Sequence, residues 1–152
     1  MTSRVQFTLS NEPTEEIEEF LNSKLKEFND RTCVHFLEAR KEGRRPLSIV
    51  IRNDNGNIIG GLVGSTYWYW FDVKLLWIAE DFRGRGLGRD LLQRAENNAR
   101  SRGCAHAKLS TFSFQARIFY EKLGYKVVGQ MSDYPPGESF YWMRKDLQSI
   151  PG

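Results

Sequence analysis

The sequence predicts a single α/β (α+β) domain over residues 1–152, with a mixed, mainly antiparallel central sheet flanked by helices. Three observations favour this fold class. Strand-like and helix-like patterns alternate along the chain without a repeat or a linker. The segment Asn53-Asp54-Asn55-Gly56 separates two apolar runs, which is typical of a β-hairpin. A chain of 152 residues is also long enough to bury one substantial core.

The first third of the chain predicts one strand and two helices. Val5, Phe7 and Leu9 alternate with polar residues, which favours a strand. Pro13 suits the first turn of a helix, and residues 30–45 favour a second, short helix. The apolar face of the first helix consists of Ile17, Phe20, Leu21, Leu25 and Phe28, and that of the second of Phe36, Leu37 and Ala39.

The remaining elements alternate between strands and helices. We expect the hairpin strands at 48–52 and 57–63, a third strand at 73–78, and later strands at 107–111, 125–130 and 140–145. A helix that ends at Gly103 follows the third strand, and a second helix, 115–123, is closed by Gly124. The buried face of the longer helix consists of Leu87, Leu91, Leu92, Ala95 and Ala99.

Composition excludes several classes of protein. Hydrophobic residues make up 40% of the chain and charged residues 27%, which is ordinary for a globular protein. We find neither a membrane-length apolar run nor a signal peptide, and therefore expect a cytoplasmic protein with no membrane partner. The widely separated Cys33 and Cys104 predict free thiols rather than a disulfide or a metal site. A net charge of +3 does not favour nucleic acid as a partner.

The segment Arg83-Gly84-Arg85-Gly86-Leu87-Gly88 is the most informative motif. Glycines let the main chain turn with positive φ and lie close to a ligand, with successive N–H groups directed at one point. The helix that follows adds its unpaired N–H groups and the positive end of its dipole. Arg83, Arg85 and Arg89 supply positive charge. The segment therefore predicts a site for a pyrophosphate or for several phosphates.

Other phosphate-binding motifs fit the spacing less well. A P-loop requires Lys and then Ser or Thr after its last glycine, whereas Arg89 and Asp90 follow Gly88. A dinucleotide fingerprint requires G-x-G-x-x-G near the first strand, whereas these glycines are two apart and several strands precede them. A flexible arginine-glycine contact to nucleic acid would not lie between a strand and a helix.

The arrangement R-x-x-G-x-G between a strand and a helix resembles the acetyl-coenzyme A loop of the GNAT acetyltransferase superfamily. The preceding strand ends in the apolar pair Trp77-Ile78, as in that family. Downstream, residues 116–125 (ARIFYEKLGY) resemble the family segment A-x-x-x-Y-E-K-x-G-[FY]. The resemblance covers residues 72–130. One position departs from it, because Ser113 stands where many members have Asn.

The resemblance implies acetyl-coenzyme A as the co-substrate. The N–H groups of Arg83 through Gly88 would hold its pyrophosphate, and the main chain of Trp77 and Ile78 would bind its pantetheine arm. Further cofactor contacts are implied for Leu87, Arg89, Ser113, Phe119 and Tyr120. The structural alternatives are a simple tight turn for the glycines and core packing for the strand residues.

The resemblance also implies catalytic roles. Tyr120 matches the tyrosine that gives a proton to the departing thiolate, and its alternative is a core tyrosine beside Phe119. A main-chain N–H at Ile78 or its neighbour would polarise the thioester carbonyl. Asp72 stands where some members have the glutamate that accepts the proton of the amine, but it is equally suited to a turn between Phe71 and Val73. His35 and His106 lie in no motif, which favours surface or satisfied core histidines.

The acceptor is the part of the predicted reaction that the sequence constrains least. The aromatic runs 67–71 and 134–142, with Asp133 and Glu138, would suit a small-molecule amine with apolar bulk, or else fill the core and a homodimer contact. The resemblance implies an N-acetyltransferase that acts on a primary amine. Its alternatives are a transferase for protein N-termini or lysines, and a non-catalytic module that senses acyl-coenzyme A.

Overall fold

A computed structural model describes residues 3–147, which form two compact units, one up to Glu42 and one from Gly43 onward. The first unit contains helix α1 (Glu15–Thr32) and helix α2 (Val34–Glu42). The N–H of Ile17 donates to Thr14 Oγ1 at 3.3 Å, so Thr14 caps α1 and Pro13 precedes the cap rather than lying in the first turn. Both predicted helices are confirmed.

The predicted first strand is wrong. Residues 3–10 form no regular element, and the side chains of Val5, Phe7 and Leu9 are exposed. Alternating polarity favours a strand only when a neighbouring strand supplies main-chain hydrogen bonds and one face is buried. Neither condition is met here.

The second unit is built on a six-stranded sheet with the order β1-β2-β3-β4-β6-β5. All neighbouring strands are antiparallel except β3 and β4, which are parallel, so the predicted mixed, mainly antiparallel sheet is confirmed. The strands are β1 (Arg45–Arg52), β2 (Ile58–Tyr67), β3 (Trp70–Ile78), β4 (His106–Phe112), β5 (Lys126–Ser132) and β6 (Ser139–Asp146).

Two α-helices, α3 (Leu87–Ser101) and α4 (Arg117–Lys122), and a short 3-10 helix, Glu80–Phe82, complete this unit. The predicted apolar face of α3 is buried, and it contributes Leu91, Leu92, Ala95 and Ala99 to the hydrophobic core. Gly103 ends the helix with a φ of 87°, as its position predicted. Within residues 3–147, no helix is long and apolar enough to cross a membrane.

The turn between β2 and β3 differs from the sequence expectation. Trp68 and Tyr69 make it alone, with φ values of 56° and 65°, and Tyr67 pairs directly with Trp70. Positive φ at both central residues is the geometry of a two-residue hairpin turn. Asp72 therefore lies inside β3, opposite Ser65, and the interpretation of Asp72 as a turn residue is wrong.

The parallel pair β3–β4 separates after three residue pairs, of which Asp72 with Lys108 is the last. β4 continues beside β6 as far as Phe112, and β3 continues beside β2 as far as Ile78. The second halves of β3 and β4 therefore lie apart within one sheet. A wedge-shaped cleft opens between them.

Replacement of Gly64 by alanine should destabilise the sheet. A Cβ at this position would lie 2.5 Å from the main-chain oxygen of Asp72 and 2.8 Å from the ring of Phe71. We expect a loss of about 1–3 kcal/mol in the free energy of unfolding, measured by urea denaturation. Val63→Ala is the control, because Val63 is 40% exposed and its truncation should cost less than about 1 kcal/mol. Equal losses in the two variants would contradict the close approach at Gly64.

Candidate active site

The cleft between β3 and β4 has a volume of about 890 Å³. Residues 74–78 of β3 form one wall, and Ser110 and Thr111 of β4 form the opposite wall. The glycine loop with the first turn of α3 lies at the wide end, and Phe119 and Tyr120 of α4 close the floor. Sequence reasoning identified the loop and α4 but missed the wall on β4. The strand itself was predicted, but which of its residues face an opening depends on how far β4 separates from β3.

The loop supplies a row of main-chain donors. Gly84 and Gly86 have φ values of 77° and 78°, a conformation that L side chains rarely adopt. Arg83 N–H donates to Glu80 O, and Asp90 N–H donates to Gly86 O. In the described part of the chain, the N–H groups of residues 84–89, which lie between these two hydrogen bonds, have no main-chain acceptor. Together with the N-terminus of α3, these groups fit the diphosphate that the sequence predicts.

The three arginines of the motif differ in their surroundings. Arg83 Nε donates to the main-chain oxygen of Ile78 at 2.9 Å, so this guanidinium ties the loop to the end of β3. Arg85 donates to the main-chain oxygen of Asp81 at 3.3 Å and does not line the cleft. Arg89 lines it from the first turn of α3. The geometry therefore favours Arg89 as the cation nearest a bound anion.

The free edge of β3 supplies further hydrogen-bonding groups. Ala79 N–H donates to Ile59 O on the β2 side, at 2.8 Å. Because successive residues of a strand direct their main-chain groups to opposite edges, those of Leu76 and Ile78 face the cleft, whereas those of Trp77 face β2. The predicted contact of Ile78 with an extended ligand is compatible with this geometry. Trp77 lines the cleft, but its main-chain groups are directed to β2, so Leu76 is the second main-chain candidate.

Helix α4 reaches the cleft because α3 and α4 approach closely. A Cβ on Gly88 would lie 3.1 Å from the ring of Phe119. That ring packs edge-on against Tyr120, with centroids 5.1 Å apart. Tyr120 is buried, and burial raises the pKa of its phenol above the ordinary value of 10.0. The phenol therefore keeps its proton at neutral pH.

A second tyrosine lies directly behind Tyr120. Tyr125 packs against it at 5.8 Å between ring centroids and is more deeply buried, and its hydroxyl has no hydrogen-bond partner among the described residues. Burial raises its pKa, and the nearby carboxylate of Glu96, which is paired with Lys145 at 2.8 Å, raises it further. Tyr125 does not line the cleft. Of the two phenols, only that of Tyr120 is placed to meet a ligand there.

Ser113 lies at the far end of β4 and is engaged elsewhere. Its hydroxyl donates to Glu138 and accepts from the N–H of Ser139 at 2.9 Å, and it does not line the cleft. The contact of Ser113 with the cofactor stays a prediction. Asp133 likewise accepts from the N–H of Gly137 at 3.4 Å within the same loop. Both carboxylates named for the second aromatic run thus have local partners.

Asp72 faces a different opening, which we call the hairpin-end cavity. Its volume is about 340 Å³. The carboxylate of Asp72 forms an ion pair with Lys108 at 3.2 Å. Lys74, two residues further along β3, already belongs to the cleft, so the cavity lies next to the narrow end of the cleft. The cavity is lined by Arg44, Tyr67, Trp68, Trp70, Asp72 and Lys108.

The histidines and cysteines suggest no further chemistry in the cleft. His106 Nδ1 lies 2.7 Å from a carboxylate oxygen of Asp146, and its imidazole packs against Trp70 at 4.6 Å between ring centroids. Cys33 is half-buried and Cys104 is buried, and the two thiols are not joined in a disulfide. Within residues 3–147, His, Cys, Asp and Glu side chains form no cluster of three that could hold a metal ion.

Comparisons with known proteins agree with this geometry. A family model described as an acetyltransferase (GNAT) domain matches residues 45–127. A blasticidin-S acetyltransferase of Streptomyces morookaense is 40% identical over 107 residues, which are 68% of this chain and 79% of that protein. An acetyltransferase of Agrobacterium fabrum is 36% identical over 141 residues, which are 93% of this chain and 98% of that protein. The crystal structure of an acetyltransferase from Bacillus cereus superposes with a TM-score of 0.81 at 33% identity, over 92% of this chain and 98% of that one.

Replacement of Gly84 by alanine should weaken the binding of coenzyme A. At a φ of 77° an alanine is strained by about 1–2 kcal/mol, and relief of that strain would turn the N–H groups of the loop away from a common point. We expect at least a tenfold rise in the dissociation constant measured by calorimetry. Gly56→Ala is a matched control, since Gly56 has a φ of 80° and is equally free of neighbours but lies in the β1–β2 turn. If both variants bind coenzyme A like the wild type, the loop is not the anion site.

Proposed function

Because the chain belongs to the GNAT acetyltransferases, a family of acetyl-coenzyme A dependent enzymes, we propose that it acetylates the primary amine of a small molecule, with Tyr120 as the general acid. The observation that carries the proposal is the cleft between β3 and β4. Unpaired main-chain donors lie at its wide end, and a buried, protonated tyrosine lies in its floor. An extended thioester with a diphosphate at one end matches both features.

Bound acetyl-coenzyme A supplies the acetyl group as a thioester, and its transfer to an amine forms a C–N bond and breaks the C–S bond. The N–H groups of residues 84–89 and the guanidinium of Arg89 would hold the diphosphate. The main-chain groups of Leu76 and Ile78 would hold the pantetheine amides. Either of the cleft-facing N–H groups, that of Leu76 or that of Ile78, is a candidate to polarise the thioester carbonyl.

Tyr120 would hold a proton at Oη for the sulfur that leaves. Burial raises the pKa of this phenol, so the proton is retained until negative charge develops beside it. Arg83 contributes indirectly, because its bond to Ile78 O fixes the loop relative to the β3 wall. Tyr120 would thus provide the proton, and the loop and β3 would position the thioester.

Asp72 is our candidate for accepting the proton that the amine loses. It lies where β3 and β4 separate, beside the narrow end of the cleft. Its partner Lys108 keeps the carboxylate oriented by a 3.2 Å ion pair. A proton would pass from the amine nitrogen to an Asp72 oxygen, directly or through a water.

A small molecule is the acceptor that the comparisons favour. The relative from Streptomyces morookaense is named for its action on blasticidin S, and the match extends over 68% of this chain. The hairpin-end cavity of about 340 Å³ lies at the small end of the range for ligand pockets, roughly 300–1,000 Å³. Both observations support a compact amine over a protein segment.

A screen of primary amines should detect acceptor-dependent release of thiol from acetyl-coenzyme A. We expect at least one amine to raise thiol release well above the rate with the enzyme and acetyl-coenzyme A alone. Thiol can be measured with a chromogenic disulfide, and the acetylated product by mass spectrometry. Tight binding of coenzyme A with no transfer to any small amine or peptide would instead support a sensor of acyl-coenzyme A.

Tyr120→Phe should lower kcat by about 10²- to 10⁴-fold and leave the affinity for coenzyme A within a few fold. The change removes only the phenolic hydroxyl, since the ring can still pack on Phe119. Tyr125→Phe is the matched control, because its hydroxyl is buried, lacks a partner among the described residues and does not line the cleft. That variant should keep its rate within about twofold. An unchanged kcat in Tyr120→Phe would remove Tyr120 from the mechanism.

A further inference from the structure

The hairpin-end cavity combines flat apolar walls with charged groups. It lies where β2 and β3 meet, and Tyr67 and Trp70 face each other across the tight turn. Trp70 packs against the imidazole of His106, with ring centroids 4.6 Å apart, and the guanidinium of Arg144 lies 4.8 Å from its ring centroid. These neighbours hold Trp70 in position, which suits its ring to pack against a flat group of a ligand.

The charged side chains that line this cavity, Arg44, Asp72 and Lys108, carry one more positive than negative charge. The carboxylate of Asp72 and the ammonium of Lys108 are paired at 3.2 Å. Arg44 donates to Ser65 Oγ at 3.0 Å and lies 4.9 Å from the centroid of the Tyr67 ring. It forms no ion pair with a carboxylate of residues 3–147. One positive charge thus remains at the cavity, and a guanidinium binds a carboxylate with two parallel hydrogen bonds.

The remaining cation lies close to Asp72. Ser65, which accepts the hydrogen bond from Arg44, is the direct partner of Asp72 across the β2–β3 pair. Directly opposed residues have Cβ atoms about 4.5–5.5 Å apart. A guanidinium and a carboxylate are therefore presented a few ångströms apart, beside two rings. This arrangement complements a molecule whose amino and carboxylate groups are near each other and whose side group is flat.

The cavity is also next to the narrow end of the cleft. Asp72 and Lys108 form the last pair before β3 and β4 separate, and Lys74 lines the cleft. An amine held at Asp72 would lie at the boundary of the two openings. The wider, glycine-loop end of the cleft lies beyond Ile78, at the opposite end of β3.

We propose that the hairpin-end cavity binds the acceptor and that the acceptor is an α-amino acid with an aromatic side group, or a molecule with that arrangement of charges. Its ammonium group contacts Asp72, its carboxylate binds Arg44, and its ring packs against Tyr67 and Trp70. The assignment of this ligand as the acceptor rests on the proposed acetyltransferase function. The cavity as an amino-acid site rests on its own geometry.

The test compares molecules that differ only in the carboxylate. L-phenylalanine, L-tyrosine and L-tryptophan are titrated against the protein in parallel with phenethylamine, tyramine and tryptamine, by calorimetry in the presence of coenzyme A. We expect at least one amino acid to bind about 10- to 100-fold more tightly than its decarboxylated partner. Thiol release from acetyl-coenzyme A is measured with the same six compounds.

Arg44→Met should abolish this preference, since it keeps the apolar stem and removes the charge. Arg52→Met is the matched control. Arg52 also lies on the β1 side of the sheet, but it donates to the main-chain oxygen of Gly56 at 2.9 Å, away from the cavity. Arg44 does not line the cleft, so an unchanged affinity for coenzyme A shows that both variants are folded. We expect the control to retain the wild-type preference.

The two hypotheses fail in different ways. Three results would overturn the amino-acid site: equal affinity for the two members of each pair, no binding of any of the six compounds, or a preference that survives in Arg44→Met. In each case, thiol release with other amines would still support the transferase. A preference that depends on Arg44, without transfer to any amine, would support the site and count against the transferase.

Discussion

The site depends on one constraint, the separation of two parallel strands after only three residue pairs. An exposed strand edge is a row of unpaired donors and acceptors, which invites pairing with any extended chain. In this protein β3 lies inside the sheet, and its free edge faces the diverging strand β4. Only a narrow, extended ligand can therefore reach that edge. The hairpin-end cavity borders the closed end of the wedge, where Asp72 and Lys108 are still paired. The two openings are therefore neighbours along β3.

The glycine loop is useful only because its surroundings fix it. Leu91, Leu92 and Ala95 anchor α3 in the core, and the bond from Arg83 to Ile78 O ties the other end of the loop to β3. The N–H groups between these anchors are therefore held in place before any ligand arrives. Binding to donors that are already ordered avoids most of the entropy that a flexible loop would lose. Glycine supplies the permitted φ, and the anchors make that conformation persistent.

Local patterns were sufficient to predict part of this structure. The β1–β2 hairpin, the buried face of α3 and the glycine at its C-terminus follow from turn chemistry and helical periodicity, which depend on near neighbours in the chain. The strand expected at Val5 to Leu9 was wrong because a strand also needs a distant partner. Asp72 could not be placed for the same reason, since its position inside β3 depends on Trp68 and Tyr69 forming the turn, where aromatic residues are rare. The separation of β3 from β4, and hence the cleft wall at Ser110 and Thr111, leaves no signal in either strand alone.

The two adjacent tyrosines show why residue type alone does not define a catalytic acid. Both phenols are protonated at neutral pH, since an ordinary tyrosine has a pKa of about 10 and burial raises the pKa of each further. Tyr125 is the poorer acid, since the carboxylate of Glu96 further disfavours its ionised form, and its hydroxyl faces the protein interior. Tyr120 is buried against Tyr125 on one side and borders the cleft on the other. A general acid must hold its proton in the resting enzyme and still reach the atom that needs it. Both phenols meet the first requirement, and only the position of α4 against the cleft lets Tyr120 meet the second.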